Sequence, residues 1–274
     1  MSRSSWALRT ELTLDEVNVH LPALEAAGLL GIDEAAGRAT LWFSERPAKA
    51  LPVDGAWEEV PDHDWNAAWR DALEPVVVGR VAVVPPWWRD RLPAADGAAP
   101  DIVLRIEPAQ AFGTGHHETT AHCLRALQQA PVDGARVLDV GTGTGVLALA
   151  ALRLGATTAV GVDTDPIAVA TAAANAHTNL ADASAFGVHA GSVEAAPSGR
   201  YDLVLANLDT ATLTALADEL AARVAPRGLL IASGVSLPRI DEAAGALEAS
   251  GLRVRWERGH EWGLLVGMPS PGDR

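Results

Sequence analysis

The feature that most constrains this chain is the run Val137-Leu138-Asp139-Val140-Gly141-Thr142-Gly143-Thr144-Gly145. A short strand-like stretch leads into three glycines at alternate positions, and an alanine- and leucine-rich segment follows. A Cβ in such a turn restricts φ and keeps a ligand away from the backbone. The pattern therefore predicts a strand, a tight glycine turn and a helix that meet at a ligand. The next strand, Val160-Gly161-Val162-Asp163, ends on an acid. In open α/β sheets a carboxylate at that place takes the hydroxyls of a ribose. Asp163 is expected to hold an adenosine without needing a phosphate.

Two nucleotide classes compete for this turn. The dinucleotide fingerprint runs G-x-G-x-x-G or A. Here Val146 occupies the last slot, and the spacing is G-x-G-x-G with Asp139 just ahead of it. An acid beside the loop disfavours a pyrophosphate and suits a ligand that carries a sulfonium and an ammonium. S-adenosylmethionine carries both, and is the cofactor expected at Gly141, Gly143 and Asp163. A nucleotide oxidoreductase and a merely structural turn are the alternatives.

The surrounding pattern predicts an α/β fold with a doubly wound, Rossmann-like sheet. Arg136–Val140, Ala159–Asp163, Tyr201–Ala206 and Gly228–Ser233 read as short buried strands. Leu147–Leu154, Pro166–Ala176 and Leu213–Val224 read as the helices between them. That alternation implies parallel strands with right-handed crossovers. Val254–Gly267 reads as an antiparallel closing pair. Residues 1–53 suggest a small α+β domain, with a strand at Ala39–Phe43, a helical stretch at Leu14–Ala27, and turns at Leu30-Gly31 and Gly37. Residues 54–100 read as a tryptophan-rich linker with a connecting helix, in which Asp64 would cap a turn bearing Trp65 and Trp69 on one face. The cofactor domain is expected over 101–274.

Hydrophobic residues make up 49% of the chain, enough for a packed core rather than a disordered segment. No apolar run approaches the ~18 residues of a membrane span, and the first twenty residues lack the apolar block of a secretory signal. A cytoplasmic monomer with no membrane contact is expected. The 35 acids exceed the 21 basic residues, for a net charge of −14. Direct nucleic acid binding is disfavoured and a basic partner favoured. The lone Cys123 makes no internal disulfide, and its apolar neighbours suggest an inert core thiol. His117-Glu118 and His122 suggest a zinc motif, but zinc histidines on a helix need i, i+4 spacing. These differ by five, about 140° around a helix, so no metal is expected.

A second glycine loop, Phe112-Gly113-Thr114-Gly115-His116-His117-Glu118-Thr119-Thr120, precedes a helix bearing Cys123 and Leu127. This stretch resembles the F-G-T-G-x-H-x-T-T signature of the ribosomal protein L11 methyltransferases, the PrmA family, at every fixed position. The Val137–Gly145 loop, Gly161-Val162-Asp163-Thr164-Asp165-Pro166, Ala206-Asn207-Leu208 and the tryptophan-rich linker are similar to the family too. The resemblance covers about residues 55–265 well and the first fifty in general plan. It implies a class I methyltransferase domain over 101–274. By the same resemblance Phe112, Thr120, Gly141, Gly143, Asp163 and Asn207 would contact the cofactor, and Ser192 sits where such folds approach the adenine. Asn207 ends a buried strand and would also be the catalytic residue. Leu208-Asp209 follows it, in place of the Pro-Pro-aromatic that adenine and glutamine-amide methyltransferases carry. The substrate implied is ribosomal protein L11, methylated on lysine ε-amines and its N-terminal amine and recognised by the N-terminal domain. A class I enzyme acting on another protein or a small amine, and a non-catalytic binding module, remain as alternatives.

Overall fold

A computed structural model of the chain describes residues 4–35, 37–61, 74–90, 92, 99–107 and 117–270. It divides into two compact units, residues 1–73 and 74–274.

The first unit is a four-stranded antiparallel sheet in the order β2-β3-β1-β4, formed by β1 (Ser4–Arg9), β2 (Leu29–Ala35), β3 (Arg38–Phe43) and β4 (Ala56–Pro61). In β3 the side chains alternate, and Ala39, Leu41 and Phe43 face the core with Leu8, Val17 and Leu24. The helical stretch expected at Leu14–Ala27 is two short helices, α1 (Leu14–Asn18) and α2 (Leu21–Ala26). Thr13 and Glu16 form a capping box at the start of α1. Pro22 lacks the N–H that one continuous helix would need. Gly37 does sit in a turn, with φ +74°. Leu30-Gly31, expected as a turn, lies inside β2. There Leu29 pairs with Phe43 and Gly31 with Trp42, so Leu30 is the extra residue of a bulge, a common use of glycine in a strand. Trp65 and Trp69 lie outside the described residues.

The second unit holds a small sheet, β5 (Val76–Val78), β6 (Val81–Val84) and β7 (Ile102–Arg105), and a seven-stranded one. The larger sheet comprises β8 (Arg136–Val140), β9 (Thr158–Asp163), β10 (Phe186–Ala190), β11 (Tyr201–Asn207), β12 (Val224–Ser236), β13 (Leu252–Arg258) and β14 (Trp262–Pro269). Its order is β10-β9-β8-β11-β12-β14-β13. The β8–β9, β9–β10, β8–β11 and β11–β12 pairs are parallel, while β14 runs antiparallel to both its neighbours. This is the doubly wound sheet expected, closed by the expected antiparallel pair.

Both faces of the sheet are covered, so its strands are apolar on both sides. Along β8, Val137 joins one core and Leu138 and Val140 the other. The first core is packed by α3 (Glu118–Leu127), α4 (Val146–Arg153) and α5 (Pro166–Asn179). The second is packed by α6 (Thr210–Ala215), α7 (Ala217–Arg223) and α8 (Ile240–Ala249). The single helix expected at Leu213–Val224 starts earlier, capped by Asp209, and opens at Leu216 (φ −96°, ψ 6°). The hydrogen-bond ladder continues across that residue, since its N–H reaches Thr212 and its carbonyl accepts from Leu220. Cys123 is fully buried on α3, as expected for a core thiol.

Candidate active site

Strand register assembles the site. Val140 pairs with Val162 on one side and with Ala206 on the other. The residues that follow, Gly141, Asp163 and Asn207, therefore emerge side by side at the carboxyl ends of β8, β9 and β11. The strand order reverses at β8, and ligands in open α/β sheets bind in the crevice at such a reversal. A cleft of about 540 Å³ lies there, within the usual size of a small-molecule site.

The glycine loop is pinned to the neighbouring strand. The Gly141 and Thr142 N–H groups both donate to the Val162 carbonyl, at 2.9 and 3.0 Å. Gly141 has φ +69°, and a Cβ there would meet the Leu208 side chain at 2.5 Å. Glycine is thus required by conformation, while a Cβ would also have to displace the end of the Leu208 side chain. Asp163 supports the loop from the other side. Its Oδ2 accepts the Gly143 N–H at 2.9 Å and its Oδ1 accepts the Asp165 N–H at 3.0 Å. The carboxylate is fixed in orientation, and each oxygen keeps a further lone pair.

Asp139 does not face the cleft as its place ahead of the loop suggests. It is 1% exposed and lies beneath the turn. Its Oδ2 accepts from the Thr142 hydroxyl at 2.8 Å and from the Ala148 N–H at 3.3 Å, tying the loop to the first turn of α4. Burial pushes its carboxyl up to about 7, with Asp163 adding to the rise and the two hydrogen bonds opposing it. Its role is to hold the loop rather than to touch a ligand.

Asn207 lines the cleft at the end of β11. Its Nδ2 donates to the Thr120 hydroxyl at 3.4 Å, and its buried Oδ1 has no partner among the described residues. It is not a helix cap, since Asp209 caps α6. Thr120 itself is fully buried on α3, behind Asn207. Ser192 also lines the cleft, after β10, and the Gly191 N–H before it donates to the Asp163 carbonyl at 2.9 Å. Phe112 lies outside the described residues.

Sequence reasoning missed part of the cleft's lining. His117, Thr119, Leu208, Asp209 and Trp262 also line the cleft. The His117 and Trp262 rings meet edge to face, with centroids 5.3 Å apart. No local pattern marks Trp262, the first residue of β14, because a contact across 145 residues of sequence depends on the closed sheet. Asn175, on α5, was missed as well. Its side chain is buried, donates to the Thr144 carbonyl at 2.9 Å and accepts the Glu107 N–H at 3.1 Å.

The donor set suits S-adenosylmethionine: left-handed glycines that leave the backbone open, a fixed carboxylate for hydroxyls, and an unpartnered amide oxygen. Val146, only 3% exposed, is packed in the core where a dinucleotide loop carries glycine or alanine.

Comparison with known proteins agrees. A sequence model of the family described as "Ribosomal protein L11 methyltransferase (PrmA)" matches residues 10–268. The chain is similar to a ribosomal protein L11 methyltransferase of Thermus thermophilus, 40% identical over 270 residues that span 95% of this chain and 98% of that one. It is also similar to one of Deinococcus radiodurans, 39% identical over 265 residues, covering 93% and 95%. A solved structure of a ribosomal protein L11 methylase from Lactobacillus delbrueckii subsp. bulgaricus superposes with a TM-score of 0.64 at 27% identity, over 72% of this chain and 99% of that one.

Proposed function

Because the chain belongs to the ribosomal protein L11 methyltransferase (PrmA) family, we propose that this S-adenosylmethionine-dependent enzyme methylates L11 on lysine ε-amines and the N-terminal α-amine. The observation that carries the reading is the Asn207 Oδ1, buried and unpartnered in the cleft beside the glycine loop and Asp163. An unsatisfied buried carbonyl is costly unless a ligand completes it. An incoming amine has the N–H groups that this oxygen lacks.

When bound, S-adenosylmethionine supplies a methyl group already activated by the sulfonium. The residues of this chain need only align a lone pair with it, and alignment is worth about 7–11 kcal/mol of the barrier. In this reading the backbone at Gly141 and Gly143 leaves room for the cofactor, and Asp163 accepts from both ribose hydroxyls. Ser192 approaches the adenine and Phe112 completes the cofactor contacts, while Thr120, fully buried, meets Asn207 rather than the cleft. Asn207 accepts an amine N–H, which turns the nitrogen lone pair toward the methyl.

The amine must be neutral. An ε-amine has a pKa of about 10.4 and an α-amine of about 7.7–8 in water. Desolvation lowers these values and a nearby carboxylate raises them. An amide at the reacting nitrogen, with the acids at Asp163, Asp165 and Asp209 set along the walls, favours the neutral form more than a carboxylate there would.

The acidic balance of the chain favours a basic protein substrate and opposes direct nucleic acid contact. Among the described residues no helix is long and apolar enough to cross a membrane. We take the enzyme to work as a cytoplasmic monomer, with the first unit recognising L11 and the second carrying the catalysis; residues 54–100, which read as a connector in sequence, instead give β4 to the first unit's sheet and β5 and β6 to the second's.

The test is incubation with labelled S-adenosylmethionine and purified L11, with labelled amines mapped by mass spectrometry. Label on L11 amines supports the reading. Label only on another protein or a small amine moves the activity to a different acceptor, and cofactor binding without turnover makes the chain a binding module.

A further inference from the structure

The helix that brings Thr119 to the cleft is tied to the β13–β14 hairpin turn by the Glu118 side chain. Its Oε1 accepts the His260 N–H at 2.5 Å and its Oε2 accepts the Glu261 N–H at 3.2 Å. His122, one turn along α3, places its Nε2 3.4 Å from the same carboxylate, and the two side chains are 11% and 29% exposed. A Cβ on Gly259 would overlap both the His122 ring and the Glu118 carboxylate, so the turn lies directly on this pair. The turn is held on its other side as well, since the Leu237 N–H donates to the Glu261 carbonyl at 3.1 Å. Burial alone would raise the Glu118 carboxyl. The two backbone N–H groups and the histidines outweigh it and hold the carboxyl below its usual range, so it is an anion in place.

What the lock sets is the wall of the cleft. His117 immediately precedes Glu118, and Trp262 immediately follows Glu261. Their rings meet edge to face at 5.3 Å, and both line the cleft with Asn207. The F-G-T-G-x-H-x-T-T signature leaves position 118 open.

We propose that Glu118 is a positioning residue that fixes Trp262 against His117 and so shapes the acceptor side of the cleft for the incoming amine. The proposal rests on the methyltransferase reading given above. Glu118 touches neither cofactor nor acceptor. It acts through the hairpin turn.

The experiment is a double-mutant cycle in the full chain, with Glu118→Ala and Trp262→Ala made singly and together. Three quantities are read for each: kcat/KM for L11, the Kd for S-adenosylhomocysteine by calorimetry, and the melting temperature. Misplacing a wall by about 1 Å can cost on the order of a hundredfold in rate. The expected result is a fall of about ten- to a hundredfold in kcat/KM for Glu118→Ala, with cofactor affinity within about twofold of wild type. Residues coupled through one backbone turn give non-additive cycles, so the same change in the Trp262→Ala background should cost less than about threefold. If Glu118→Ala fails to fold, Glu118→Gln replaces it, keeping one acceptor and losing the other. Wild-type kcat/KM in the single variant, an equal loss in both backgrounds, or a parallel loss of cofactor affinity overturns the positioning role. No transfer to L11 by the wild-type protein sinks instead the reading on which the proposal rests.

Discussion

The Gly143 backbone N–H donates to Asp163 Oδ2 at 2.9 Å, so the glycine loop and the acid at the end of the next strand form one unit. The carboxylate that is to receive the ribose also holds the loop that receives the rest of the cofactor. Replacing Asp163 strands two N–H donors, those of Gly143 and Asp165, besides removing the hydroxyl acceptor. Asp163→Ala is expected to weaken S-adenosylhomocysteine binding by about 1–3 kcal/mol. Calorimetry reads this directly, and an unchanged affinity removes Asp163 from the cofactor site.

Asn207→Ala should separate chemistry from binding. The variant loses the unpartnered Oδ1 and the weak bond to Thr120 while leaving the loop and Asp163 in place. A fall in kcat on the order of a hundredfold is expected, as for the loss of one preorganised polar contact in a catalytic site. Cofactor affinity should change by much less. Equal kinetics in the two proteins would leave Asn207 without a catalytic role.

Asp139 makes stability depend on pH in an unusual direction for an acid. Its folded carboxyl titrates at about 7, while in an unfolded chain it titrates at about 3.9. Between those values the folded protein binds the proton and the unfolded chain does not, so this group makes stability fall as pH rises from about 4 to about 7, then level off. Other acids, such as Glu118 and Asp209, are lowered and act oppositely. The contribution is isolated by the difference between wild type and Asp139→Asn in denaturant midpoints across that range. The variant should gain relative to wild type as pH rises to about 7. A flat difference would mean that Asp139 titrates normally.

Cys123 should be inert in the folded protein. It is fully buried, and burial, with Asp139 adding, pushes its thiol well above the usual range. The thiolate is the reactive form. A disulfide-exchange reagent should find no thiol in the native protein and one after unfolding in denaturant. Rapid labelling of the native protein would mean that α3 opens readily from the sheet.

Much of the second unit was legible because its strands are apolar and punctuated by glycine, and Asp165 and Pro166 mark a helix start in the usual way, while Asp209 caps a helix expected only from Leu213. Gly141, Asp163 and Asn207 were readable as neighbours because parallel pairing brings the ends of β8, β9 and β11 into one row. Asp139 was misread because its position along the chain does not say whether a side chain points into the cleft or under the turn. The bulge at Leu30 looks like a turn in the sequence because the same glycine marks both. His117 against Trp262, and Glu118 against the hairpin, escaped because they exist only once the last strand has closed the sheet.

Diffraction from crystals grown with S-adenosylhomocysteine and NAD together tests the central claim most directly. The account predicts adenosylhomocysteine in the cleft, both ribose hydroxyls on Asp163 and the sulfur facing Asn207. NAD in that crevice, or adenosylhomocysteine bound away from Asp163, would contradict it.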